Sequence, residues 1–551
     1  MNPTQQTQVL IVGAGPVGLT LALDLARRGV ACTMAEVRSH DAPPSPKCNH
    51  VSARTMETFR RLGIVEQVRD AGLPADYPND VAYRLSFTGP ELSRIPIPAR
   101  QDRYTATGGP DTWWPTPEPP HRINQIYLEP VLRQCVSAAA GVASLYQTQV
   151  LDYAQDSESV LARCRSLVDG SEFSIRAQYL IGCDGGRSMV RKSIGASLEG
   201  TAVVSRVQST YLRAPGLLAR MQERPAWATF SVNSRRSGNV YAIDGKEHWI
   251  VHNYLRDGEA DFDAVDRDQC LRAILGVDKE FEYEIVSKED WFGRKLIADR
   301  FRDRRVFICG DAAHLWVPMA GYGMNAGIAD AMNLSWMLAA HLNGWAPATL
   351  LEAHERERKP ITEQVGRFAM GHAQELMRQA QSVPADIEED SPAGQASRQA
   401  FGQLLYDLNV QQYCCAGLNF GYYYDDSPII GYDGTPQPGY SMGSFTSSTV
   451  PGCRTPHVWL EGGMSLYDAM GADFTLLCSD PQADTAALEQ AAAALQMPLQ
   501  VLRLAQLAAH PEYTHCFTLS RPDQHVAWRG DRLPKDCKAL LDLVRGATPR
   551  A

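Results

Sequence analysis

The sequence predicts an α/β protein of several domains that opens on a Rossmann-like unit, and three observations carry that expectation. An apolar run over residues 8–12 leads into Gly13, Gly15 and Gly18 at the G-x-G-x-x-G spacing, and an apolar helical stretch follows. A second apolar run, residues 30–36, closes on the acidic Glu36. The 551 residues exceed what one hydrophobic core organises, which makes about three units the natural expectation.

In chain order, the first element is the strand over residues 8–12. The tight turn comes next, and each glycine has a physical task there. Gly13 makes the turn, Gly15 lets the backbone approach a pyrophosphate, and Gly18 lets helix and strand pack closely. The helix expected over residues 19–28 presents unpaired N–H groups to phosphate at its start. It ends at Gly29 with Arg27 and Arg28 facing the negative end of its dipole. Glu36 stands where an acidic side chain accepts hydrogen bonds from an adenosine ribose. Pro16 and Val17 in the turn, and Val37 and Arg38 after Glu36, are candidate contacts by position.

A second helix is expected over residues 52–62, with Ser52 as N-cap and Gly63 beyond its end. Residues 71–122 are rich in Pro, Gly and Trp, including Trp113 and Trp114, as suits an irregular excursion over a pocket. The alternating runs "NVYAID" and "HWIVHNYL" predict a sheet with one buried face that could floor a cavity. Residues 380–397 are acidic and small, the composition of a linker. After residue 438 a small α/β unit is expected: strands at 457–460 and 473–478, a helix at 484–495, then the hairpin "HCFTLSRPDQHVAWRG".

Composition narrows the function classes. With 53 basic and 63 acidic residues the net charge is -10, and no basic run tracks a phosphate backbone, which argues against nucleic acid as partner. No apolar run approaches the length of a membrane span, and the polar start lacks the pattern of a secretory signal, so a cytoplasmic protein without membrane attachment is expected. The 13 cysteines include no Cys-x-x-Cys, which fits thiols in a reducing compartment and offers no metal-ligand spacing. Cys453, Cys478, Cys516 and Cys537 fall on separate elements, none placed by sequence beside a resolving partner.

Two further segments specify the dinucleotide. "YLIGCDGGRSMVRKSIG" is a strand followed by Asp184, Gly185 and Arg187. "RVFICGDAAHLWVPMAGYGMNAGIADAMNLSW" is a strand, then Gly310 and Asp311, then a turn with Pro318 and Gly321, then a long helix. Ile328, Ala331, Leu338, Ala339 and Leu342 recur at helical spacing, so this helix buries a face while its start, Gly323, Met324 and Asn325, points at a bound group.

All three segments in this order resemble the para-hydroxybenzoate hydroxylase-like (group A) FAD-dependent aromatic monooxygenases, from residue 8 to about 358. The C-terminal unit, through "LSRPDQHVAWRG", resembles the thioredoxin-like domain of the phenol hydroxylase and polyketide hydroxylase types. The resemblance implies a glutathione-reductase-like FAD-binding domain built from residues 1–75, 105–200 and 290–380. It implies a substrate-binding β-sheet domain from 76–104 and 201–289, a helical linker at 381–437, and a thioredoxin-like domain at 438–551. Asp311 then binds the ribityl chain of FAD, Asp184 and Arg187 lie near FAD and the nicotinamide cofactor, and Gln125 contacts the flavin. Lys47 stands where many members have Arg, and supplies charge without a bidentate fork. Arg54 is the nearby alternative. Pro318 lines the site of oxygen activation.

The implied activity is NAD(P)H- and O2-dependent hydroxylation of a small phenolic molecule through a C4a-hydroperoxyflavin, with NADPH or NADH as a transient co-substrate; a homodimer is an allowed assembly. A phenol must be activated by a base or acceptor, for which His50, Tyr241 and His252 are the candidates alongside Pro318. Two other readings stay open: Baeyer-Villiger or epoxidation chemistry on the same fold, and a non-catalytic FAD-binding sensor or assembly protein. Lacking paired thiols, the C-terminal domain is expected to be structural.

Overall fold

The computed structural model describes residues 4–317 and 321–548. Pro318 lies outside the described residues. The core of the first sheet is parallel, in the order Val306–Ile308, Glu172–Gly182, Thr4–Val12, Cys32–Ala35, Val142–Leu145. Val12 pairs with both Gly182 and Ala35, and Ile308 pairs with Gly182, so all three sequence segments end their strands on one edge. Ligands of such sheets sit outside the carboxyl ends of the strands.

Helix α1 (Pro16–Arg27) follows the first turn, α2 (Ala53–Arg61) starts at Ser52, and α3 (Gln125–Ala138) starts at Asn124, whose side chain accepts from Ile126 N at 3.0 Å. Gln125 is thus the first residue of its helix. The long helix is α4 (Tyr322–Leu342), and it packs on α1 across Val17, Gly310 and Gly327. A Cβ on Gly327 would stand 2.7 Å from Val17 Cγ2 and 2.8 Å from Gly310 Cα, so only glycine permits that approach.

The second sheet runs His314–Leu315, Glu284–Ala298, Leu198–Arg213, His248–Tyr254, Gly238–Ala242, Ala228–Ser231, Val81–Arg84, Glu91–Ile95. One face buries Val240, Trp249 and Val251 against Leu271 and Ile274 of the helix Arg267–Leu275. Asn239 pairs with His252, and His252 with Ser209. Strand alternation therefore puts Asn239, Tyr241, His252 and Tyr254 together on the opposite face.

The linker expected over residues 380–397 is irregular over 382–391 and helical on either side. Helix α5 (Ala353–Gln381) runs into it and α6 (Pro392–Tyr413) leaves it, capped by Ser391, which accepts from Gly394 N at 3.1 Å. Ser391 at the cap and Pro392 at the first helical position are the local cause. The C-terminal sheet has the order Leu499–Arg503, Phe474–Cys478, Phe517–Ser520, Val526–Gly530, with helices α7 (Ala486–Ala494) and α8 (Cys537–Val544). Residues 457–460 do not form the expected strand; only an isolated bridge joins Trp459 to Ser465. Cys516 also lies beside Cys478, contrary to expectation, because Ser479 N donates to Cys516 O at 2.9 Å where the two strands meet. Burial pushes the Cys478 thiol up.

The hairpin turn of that sheet penetrates the first domain. Arg521 is fully buried and meets Glu357 of α5, with Nη2 2.8 Å from Oε2, and its second carboxylate partner is Asp523 at 2.7 Å. Tyr424 lies under its guanidinium, 4.9 Å from Cζ to the ring centre. No described helix is long and apolar enough to cross a membrane.

Candidate active site

The glycine turn leaves a cradle. Gly13 has φ +103°, and a Cβ there would stand 2.4 Å from the Cys183 carbonyl oxygen. A Cβ on Gly18 would stand 2.1 Å from Gly13 O, while nothing lies within 4 Å of one on Gly15. The turn is thus closed on the strand side and open in front of α1, whose N-terminus has no side-chain cap. Glu36 accepts from Ala14 N at 2.7 Å and from Arg38 N at 2.9 Å. Although burial opposes ionisation, the Arg38 bonds hold this carboxyl below its ordinary range. Arg38 continues to Glu129 at 2.9 Å, and Gln125 Nε2 donates to Glu129 at 3.0 Å. Val37 stands exposed on the rim.

Asp184 is committed elsewhere. It accepts from Ser188 Oγ at 2.5 Å and from the N–H groups of Met189 and Val190 at 2.7 and 3.1 Å, and so fastens the short helix Met189–Ser193. Arg187 projects exposed beside it. Arg191 ties the segment to the third motif, donating to Ala312 O at 3.0 Å and Gly186 O at 2.9 Å.

Asp311 is solvent-accessible yet lies in a recess of the protein, and the loss of solvation pushes its carboxyl up against the attraction of His314 and Lys47. An accessible carboxylate in a recess, next to a helix start without a side-chain cap, is the donor and acceptor set a ribityl chain and an isoalloxazine edge require. A Cβ on Gly323 would meet nothing within 4 Å, so the start of α4 is open as well. The carboxylate that holds this turn is Asp330, which the sequence reading missed. It accepts from Gly310 N at 3.1 Å, His314 Nε2 at 2.7 Å and Arg358 Nε at 2.9 Å, all of it buried. A charged residue inside an apolar helix was its signal in the sequence.

The loop before α2 joins the two sheets. Lys47 pairs with Glu289 at 2.5 Å, Ser45 donates to Glu289 at 3.0 Å, and Gln125 N donates to Cys48 O at 3.0 Å. Ser209 pairs with both His252 and Glu289, so the loop docks on the strand face that carries His252. Asn325 was expected at the cofactor. Its side chain instead accepts from Ser52 N at 2.9 Å and donates to His50 O and Gly321 O at 3.1 and 2.7 Å, which locks the loop to α4. Gly321 takes φ +60° against the His50 side chain. Arg54 also departs from expectation. It donates to Asp523 O at 3.2 Å and lies over Tyr422, facing the C-terminal unit.

His50 proves to be a donor and no base. Arg122 donates to its Nδ1, which leaves the proton on Nε2, and burial together with Arg122 drives its pKa well below the ordinary value. His252 and Tyr241 remain on the sheet face, with ring centres 5.7 Å apart. Burial lowers His252 to about 4 and raises Tyr241 to about 12, so both are neutral at pH 7. Trp227 and Trp291 flank them, 5.2 Å from Tyr241 and 5.9 Å from His252. Among the described residues no cluster of His, Cys, Asp and Glu is gathered for a metal.

A parallel sheet with a glycine turn, an acidic second strand and an Asp-bearing third turn on one edge, opposite an aromatic sheet face, defines the class of flavoproteins that bind FAD beside an organic substrate. The chain matches the family described as FAD binding domain over residues 6–369 and that described as aromatic-ring hydroxylase, C-terminal, over residues 448–547. It belongs to the FAD-dependent aromatic-ring hydroxylases and is an FAD-dependent monooxygenase. It is 30% identical to phenol 2-monooxygenase of Pseudomonas sp. (strain EST1001), covering 98% of this chain and 93% of that protein. Identity to tetracenomycin B2 monooxygenase-dioxygenase of Streptomyces olivaceus is 29%, covering 97% of each. The structure of the rebeccamycin biosynthetic enzyme RebC with reduced flavin superposes with a TM-score of 0.89 at 32% identity, over 99% of this chain and 100% of that one.

Proposed function

We propose that the protein hydroxylates a phenolic small molecule held on the sheet face of Tyr241 and His252, with NAD(P)H and O2 as co-substrates. The observation that carries this reading is that face itself: two neutral polar groups set among aromatic rings and joined to the Asp311 edge through Lys47 and Glu289. FAD, held by the Gly13 to Gly18 turn, Glu36, Asp311 and the start of α4, supplies the electrons that activate oxygen for transfer to the ring.

The chain's own residues prepare the substrate. Tyr241, too weak an acid to ionise, donates a hydrogen bond to the substrate oxygen and so favours its ionised, more nucleophilic form. His252, neutral, has a lone pair that accepts from a ring hydroxyl. The rings of Trp227 and Trp291 exclude water from the reacting oxygen. No second glycine fingerprint exists between a strand and a helix, so the nicotinamide cofactor binds transiently.

The test is a panel of phenols, ketones and alkenes scored by stimulated NAD(P)H oxidation and product mass. Stimulation by a phenol with a gain of one oxygen supports the reading. Turnover confined to ketones or alkenes replaces it with Baeyer-Villiger or epoxidation chemistry.

A further inference from the structure

Arg122 is a buried cation with no anion. It is 4% exposed, and its contacts are Nδ1 of His50, the Tyr413 carbonyl oxygen at 3.3 Å, and the face of Trp227 at 4.6 Å. All three are uncharged. The carboxylate that acts on it most, Asp111, is held instead by Arg103 at 2.6 Å and by Trp114 Nε1 at 2.9 Å. Among the described residues no carboxylate lies within ion-pair distance of Arg122. Most other buried arginines are matched, as Arg84 is by Glu91, Arg358 by Asp330 and Arg521 by Glu357; Arg191 also lacks a carboxylate partner, but two backbone carbonyls take its donors. A guanidinium cannot shed its proton, so an unmatched one in the interior is costly.

A second observation lies around it. Nε2 of His50 and Nδ1 of His252 are buried without a hydrogen-bond partner, and the buried hydroxyls of Tyr83 and Tyr413 have only each other. Tyr83, Tyr241 and Tyr254 all act electrostatically on Tyr413, as does Arg122, so these groups converge. With Nδ1 of His50 occupied, its Nε2 is a donor, and the Tyr83–Tyr413 pair keeps one hydroxyl proton to donate. Donors left unpaired beside an unmatched cation form a site for a negatively charged oxygen.

We propose that the aromatic substrate carries an anionic oxygen, a ring carboxylate or an ionised ring hydroxyl, and that Arg122 is the side chain that binds it. The inference rests on the sheet face being the substrate site. The ring of the substrate lies along Trp227 and Tyr241, and its charged oxygen reaches the Arg122 guanidinium with His50 Nε2 and the Tyr413 hydroxyl as further donors. Aromatic amides and esters of equal shape leave those donors unmatched and bind weakly.

The test uses the FAD-loaded protein and three probes, 3-hydroxy-2-naphthoate, its primary amide and 2-naphthol, each titrated by the change in flavin absorbance. The acid should bind about tenfold to a hundredfold more tightly than the amide, the worth of a charge-assisted bond. Arg122→Gln should abolish that preference, and Arg122→Lys should weaken the acid several-fold while leaving the amide unchanged. The second variant and the wild-type comparison stand even if the first fails to fold. Equal binding of acid and amide, with 2-naphthol bound as the neutral phenol, overturns the proposal and leaves the sheet face as the substrate site. Bound 2-naphthol showing naphtholate absorption below its solution pKa identifies an ionised hydroxyl as the anion, whereas acid preference with neutral naphthol identifies a carboxylate. If none of the three perturbs the flavin, both the substrate site and this proposal fall.

Discussion

Two aspartates nineteen positions apart divide the work around the third turn, and only one was legible beforehand. Asp311 follows a strand and a glycine, a pattern that the resemblance could read. Asp330 sits inside a buried helix, where its partners Gly310, His314 and Arg358 come from three places in the chain and no local spacing announces them. The two should fail differently. Asp311→Ala removes an accessible acceptor worth about 1.5 to 3 kcal/mol to a bound ribityl chain, so FAD retention should drop tenfold or more with the fold intact. Asp330→Asn leaves Arg358 buried beside a neutral group and should cost about 3 to 5 kcal/mol of stability. Flavin titration and urea unfolding of each variant separate the outcomes; equal melting of Asp330→Asn and the parent would contradict the role given to Asp330. Arg122 was illegible for the same reason as Asp330, since its neighbours His50, Trp227 and Tyr413 are distant in sequence.

At the level of elements, what could be read was what repeats locally. The first strand, turn and helix were legible because apolar period and glycine spacing coincide, and the hairpin near the C-terminus because its two strands flank a proline-containing turn. Within residues 380–397 the irregular middle was legible, but acidic and small residues hid the helix start that Ser391 and Pro392 mark. The strand Leu499–Arg503 went unseen because it is only half-buried and does not alternate cleanly. The start of α1 is sensitive to a single methyl group. Gly18→Ala would drive a Cβ to 2.1 Å from Gly13 O and push the helix off its strand. The variant should lose FAD binding and melt lower, whereas Gly15→Ala, with open space ahead, should keep its fold and lose only cofactor affinity. Retention of full FAD affinity by Gly18→Ala would show that the turn does not set the cradle.

Across the whole molecule, buried neutral histidines link the flavin domain and the C-terminal unit to pH. Burial holds His354 and His525 near 3 in the folded state, below the unfolded value of about 6.5. Their folded pKa is depressed, so stability is complete above about pH 6.5 and is lost as pH falls towards 3, when the unfolded chain takes up protons first. From pH 6.5 to 5.5 the pair should cost about 2 kcal/mol, readable as a falling urea midpoint. An unchanged midpoint over that interval would contradict the burial of both rings. Cysteine chemistry should matter little at this scale. Replacing Cys453, Cys478, Cys516 and Cys537 by Ala should leave substrate-stimulated NAD(P)H oxidation within a few fold while lowering the melting temperature, because burial makes Cys478 a weak nucleophile even beside Cys516. Loss of turnover at unchanged flavin content and melting temperature would assign that pair a chemical part. The Arg521 to Glu357 contact, finally, bears on how the chain is made. Glu357 emerges from the ribosome long before Arg521, so α5 carries an unmatched carboxylate destined for the interior until the last hairpin arrives. The nascent flavin domain must wait for its closing segment, and exchanging C-terminal units between relatives will yield sound chimeras only where the carboxylate and its arginine travel together.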